Sequence, residues 1–136
     1  MAKTKRSWGE IDDSHYKRKG KIGDPCTYCG LESCGYDHIP PLSYFCNLTI
    51  EEISKEKCIM VPCCRECNTA LTNKVFRRIV DRRRIVKEFL RKKYRKYINM
   101  PHWDEDELAD MDKSFADEIR RISKFASYIR KRIMYY

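Results

Sequence analysis

Two Cys-x-x-Cys pairs, Cys26-Thr-Tyr-Cys29 and Cys64-Arg-Glu-Cys67, constrain this chain more than any other feature in it. Each pair supplies two corners of a tetrahedron, and four thiolates are a donor set that Zn²⁺ takes readily in a structural site. The spacing assigns Cys26, Cys29, Cys64 and Cys67 as ligands; Cys63 is able to stand in for Cys64, but with a poorer spacing. Cys34, Cys46 and Cys58 then read as buried thiols. The opening Met-Ala-Lys-Thr-Lys-Arg lacks the apolar segment of a secretory signal, so the eight cysteines are expected to stay reduced. That expectation favours metal binding over the alternative, a disulfide framework.

The rest of the composition agrees with a stapled core. Of 136 residues, 36% are charged and 42% apolar, which limits the core and makes a structural metal useful. No run of eighteen apolar residues is present, so no membrane partner is expected and a cytoplasmic location is. The net charge is +9, and it is concentrated. Residues 74–96 hold twelve Lys/Arg against two acids, Asp81 and Glu88, and the remainder of the chain is close to neutral. A field focused in that way points to a polyanion, and nucleic acid is the natural candidate. Arg77, Arg78, Arg82, Arg83 and Arg84 are the candidate phosphate contacts, set against the plainer possibility of a solvated helix face.

Along the chain, residues 1–21 read as a flexible basic arm, either tracking a phosphate backbone or simply solvated. Trp8 and Ile11 are its only large aliphatic or indole anchors. Residues 22–78 form the stapled core. Tyr36 to Ile39 reads as a strand end that Pro40-Pro41 terminates, because proline denies the ladder its donors. Residues 43–57 form an excursion with a possible helical turn capped by Thr49 and Glu52. Cys58 to Val61 reads as a buried second strand. From Cys64 the pattern is helical, with Phe76, Ile79, Val80, Val86, Phe89, Leu90, Tyr94, Tyr97 and Ile98 on one face as far as Asn99-Met100-Pro101. A second helix opens at Asp104 to Asp106 and carries a stripe from Leu108 through Phe115, Ile119, Phe125 and Ile129 to Ile133. Residues 79–136 are therefore expected to make an antiparallel helical hairpin, closed on itself or on a second copy in a homodimer.

Cys-x-x-Cys, then Asp37-His38-Ile39-Pro40-Pro41, then Cys-x-x-Cys-Asn68 resembles the HNH endonucleases, members of the ββα-metal nucleases, in the subgroup with a four-Cys zinc beside the catalytic site. The resemblance covers residues 22–78. It implies an α+β fold: a small ββα-metal core holding a four-Cys structural zinc, followed by the helical hairpin. It also implies metal-dependent hydrolysis of DNA, with RNA not excluded. His38 matches the general base, and Asp37 and Asn68 match the ligands of a catalytic Mg²⁺ or Mn²⁺. One position departs from the family pattern: the middle Asn before the second knuckle is replaced by Lys57-Cys58-Ile59-Met60. Asn47, or a backbone carbonyl, is the expected substitute for orienting His38. Asn73 reads as a solvated helix residue or an auxiliary polar contact. The alternative function is a non-catalytic zinc-bound module that binds nucleic acid.

Overall fold

The computed structural model describes residues 13–47, 51–52, 57–72 and 74–136. Among them are three strands, β1 (Lys17–Arg18), β2 (Gly35–Ile39) and β3 (Ile59–Cys63). Five α-helices follow: α1 (Arg65–Ala70), α2 (Ile79–Lys93), α3 (Arg95–Ile98), α4 (Glu105–Ala109) and α5 (Lys113–Met134). The described residues are α+β: the sheet is complete before these five helices begin, with a 3₁₀ segment at Leu42–Asn47 between β2 and β3.

β3 is the central strand. It pairs antiparallel with β2, in a register that sets Gly35 opposite Cys63, Asp37 opposite Val61 and Ile39 opposite Ile59. On its other edge it pairs parallel with β1, Lys17 facing Ile59 and Arg18 facing Met60. Side chains alternate across the sheet, so its two faces meet different partners. On one face Ile39, Val61 and Cys63 pack with the cysteine quartet, Leu71, Val86 and Leu90. On the other, Met60 packs with Tyr16, Phe45 and Cys58. β3 is an apolar run because both of its faces are covered.

Two expectations change here. The end of the basic arm is not loose, because Lys17 and Lys19 donate to the carbonyls of Cys58 and Met60 and Tyr16 is buried. Trp8, Ile11, Thr49 and Asn73 lie outside the described residues, as do the side chains of Cys46 and Asn47. Cys58 is buried as expected, but Cys34 is exposed. It lies one residue before β2.

Each arm of the helical region is also broken. The first stops at Ala70 and resumes at Ile79, leaving Val75 and Phe76 exposed rather than on a buried stripe. Residues in that gap are held by side chain instead of helix: Arg82 donates to the carbonyls of Lys74 and Phe76 at 2.7 and 2.8 Å. The second arm breaks between Ala109 and Lys113, with Asp110 ending one helix and Asp112 preceding the next, a residue type that favours helix ends over interiors. Asp104 caps α4 by accepting from the Glu107 N–H at 2.8 Å. The α5 stripe buries Ala116, Ile119, Ala126 and Ile129, whereas Phe115 is 59% exposed. Contacts between the arms run in opposite directions. Lys87 reaches the carbonyls of Arg132 and Tyr135, and Tyr94 and Tyr97 pack against Phe125.

Candidate metal centre and adjoining cleft

The loop from Pro25 to Glu32 and the start of α1 bring the four predicted cysteines together. The Sγ atoms of Cys26, Cys29, Cys64 and Cys67 all lie within 4.8 Å of one another, and all four residues are buried. Local geometry explains the convergence. Gly30 takes φ +80°, a conformation open to glycine, and donates to the Cys26 carbonyl at 3.0 Å, closing the first knuckle. The second knuckle straddles the first turn of α1, where a three-residue step returns to the same face. Cys63 is left out. Its Sγ donates to the Cys64 carbonyl at 3.3 Å, and contact with Cys26, reinforced by burial, pushes its thiol well up. Sulfur contacts from Cys29, Cys63, Cys64 and Cys67 instead pull the Cys26 thiol down, outweighing burial. A buried, purely sulfur tetrad fits Zn²⁺ or a similarly soft divalent ion.

Next to this centre is a cleft of about 190 Å³ lined by Asp37, His38, Asn68 and Arg82, with Pro41 and Leu42 on its rim. β2 supplies Asp37 and His38 just before its proline terminus, and α1 supplies Asn68 directly after the second knuckle. Asn68 donates Nδ2 to the Tyr36 carbonyl at 3.2 Å, which ties α1 to β2 without using its amide oxygen. The His38 ring meets the Tyr16 ring edge-on, with centroids 4.8 Å apart, and Tyr16 donates its hydroxyl to the Pro40 carbonyl at 2.6 Å. Tyr16 thus braces the histidine from the arm, and no spacing or periodicity in the sequence marks it.

Asp37 is the surprise of the cleft. It is 2% exposed and is gripped by Arg82, which donates Nη2 to Oδ1 at 2.6 Å and Nε to Oδ2 at 2.8 Å. Tyr28 donates its hydroxyl to the same Oδ2. Burial, and then the Asp37 charge and bond, push the Tyr28 phenol far above its usual range. For Arg82, burial works against the cation, but the bonds and charge of Asp37 outweigh it and raise its pKa. Oxygen donors from Asp37 and Asn68 suit a hard cation. With Arg82 on both carboxylate oxygens, however, the local charge is already balanced. Such a cation fits this cleft only after Arg82 has moved off Asp37.

The five candidate phosphate contacts separate accordingly. Arg82, 1% exposed, is a partner of Asp37 and not part of an exposed basic face. Arg78 and Arg84 are exposed, 77% and 65% by side chain, and both stand near Asp81. Arg77 lies over the Tyr44 ring at 5.5 Å, and Arg83 is half-buried, donating to the Thr27 carbonyl at 3.1 Å. No helix among the described residues is long and apolar enough to cross a membrane.

Compared with protein-family models, curated proteins and solved structures, the chain gives no match.

Proposed function

We propose that this protein is a metal-dependent endonuclease that hydrolyses phosphodiester bonds in DNA. The observation that carries the reading is the sharing of one cleft by Asp37, His38 and Asn68 beside a four-Cys centre. An antiparallel strand pair followed by a short helix frames that cleft, in keeping with a ββα-metal core. In this reading His38 accepts a proton from the water that attacks phosphorus, a task suited to an imidazole near neutral pH. Asp37 and Asn68 would hold Mg²⁺ or Mn²⁺, whose charge would stabilise the leaving oxygen. Arg82 is the residue that changes partner. Its planar fork matches a carboxylate and a phosphate equally well, so substrate is able to draw it from Asp37. Arg78 and Arg84 position the backbone without reading sequence.

The test is nicking of supercoiled plasmid with Mg²⁺ or Mn²⁺ by wild type and His38→Ala, with DNA binding measured on both. Cleavage lost in the variant while binding persists supports the enzyme. The Asp37–Arg82 pair favours a second reading, a non-catalytic zinc-bound module that binds nucleic acid. Equal binding and no cleavage by either protein would establish that one instead. Duplex, branched and single-stranded DNA and RNA in the same assay define the substrate.

A further inference from the structure

The four-Cys centre has a neighbour from the far end of the chain. Arg132, in the last turn of α5, is 4% exposed and lies 103 residues beyond Cys29 in sequence. Its Nη2 points at two sulfurs, 3.5 Å from Cys29 Sγ and 3.9 Å from Cys64 Sγ. Its Nη1 donates to Glu66 Oε1 at 2.6 Å, so α1 holds the other side of the guanidinium. Glu66 also accepts from the Tyr94 hydroxyl at 2.6 Å and from Lys93, which locks the carboxylate in turn. Two more contacts seat the same helix end. The Tyr135 ring covers Gly30 so closely that a Cβ there would lie 2.7 Å from it. Lys87, 8% exposed, donates to the carbonyls of Arg132 and Tyr135.

Charge gives this arrangement its meaning. Four thiolates around a divalent ion carry a net charge of about −2, and a buried anion of that size requires nearby cations and N–H donors. Arg132 is the buried cation that meets the sulfurs, and buried Lys87 stands behind it on the Arg132 carbonyl. Four neutral thiols would leave Arg132 Nη2 facing sulfur without an anion there, and Glu66 alone to balance the guanidinium. We propose that Arg132 is an outer-sphere positioning residue of the tetrathiolate metal centre, and that metal loading and docking of the C-terminal end of α5 form a single coupled equilibrium. Linkage makes the coupling reciprocal: what strengthens one strengthens the other.

The experiment uses the full chain and does not depend on nuclease activity. Zn²⁺ affinity is measured by chelator competition for wild type, Arg132→Met and Arg132→Lys, and Co²⁺-loaded samples are compared by their sulfur-to-metal charge-transfer bands. Loss of an outer-shell partner costs about 10–100-fold in metal affinity, the drop expected for Arg132→Met, with Arg132→Lys between. The charge-transfer band should shift in the Met variant, which a purely structural contact would not cause. Hydrogen exchange on the wild type supplies the second arm: stripping zinc should remove protection from residues 126–134. Unchanged affinity and spectrum in Arg132→Met would overturn the proposal. So would retained protection of residues 126–134 in stripped protein. If Arg132→Met does not fold, Arg132→Lys carries the comparison, and an affinity and spectrum equal to the wild type's overturn the proposal.

Discussion

Arg82 and Asp37, 45 residues apart in sequence, form a buried two-bonded ion pair between α2 and β2, at 2.6 and 2.8 Å. The pair joins the helical half of the molecule to the strand that carries His38. It also decides whether Asp37 is available to anything else.

Removing one member of this pair leaves the other buried without its partner. Breaking a buried ion pair costs about 3–5 kcal/mol, and Arg82→Ala also releases the carbonyls of Lys74 and Phe76. Urea unfolding should show a loss of that order for Arg82→Ala. The double variant Asp37→Asn/Arg82→Met should lose clearly less than the sum of the singles. Additive losses would mean that the two side chains do not interact in solution.

Metal content should follow the sulfur geometry. Cys64→Ser should abolish tight binding of one Zn²⁺ per chain, while Cys63→Ser should retain it, because Cys63 bonds to the backbone outside the tetrad. Elemental analysis after gel filtration distinguishes the two. Chelation should unfold residues 22–78, since metal binding in a small core is folding free energy. An unchanged melting curve after complete removal of zinc would refute this.

Salt titration of DNA binding should separate the arginines. Deleting a cation that neutralises one phosphate lowers the slope of log affinity against log salt by about 1. Arg78→Ala and Arg84→Ala should each show that reduction, because both side chains are exposed. A slope unaffected by either substitution removes α2 and its leading residue from the interface.

Gly30→Ala should destabilise the folded state by about 1–3 kcal/mol, from the left-handed backbone and the overlap with Tyr135. Tyr135→Ala in the same chain should restore part of that loss by removing the overlap, leaving the backbone strain. Thermal melts of the two single variants and the double variant test it. No recovery in the double variant would show that the Tyr135 ring does not sit on the knuckle.

Much of the site was legible because it is written in short spacings. A three-residue step in a knuckle or across a helical turn brings two sulfurs to one face whatever the rest of the chain does, so the quartet could be read directly. Asp37, His38 and the prolines after them likewise marked the strand end that opens the cleft. The helix breaks were harder to see. The gap between Ala70 and Ile79 depends on Arg82 reaching back to two carbonyls, and an apolar period carries no record of that.

The sequence by itself determined the sulfur donor set, the strand-then-helix order and the location of the basic segment, all of which follow from neighbours a few residues apart. Only the tertiary structure decided that Arg82 holds Asp37, that Tyr16 braces His38 and that Arg132 reaches the sulfurs. An arginine reads the same in sequence whether it faces solvent, a carboxylate or a thiolate. Which of these it meets depends on which surfaces the apolar core brings together, and those surfaces belong to elements far apart in the chain.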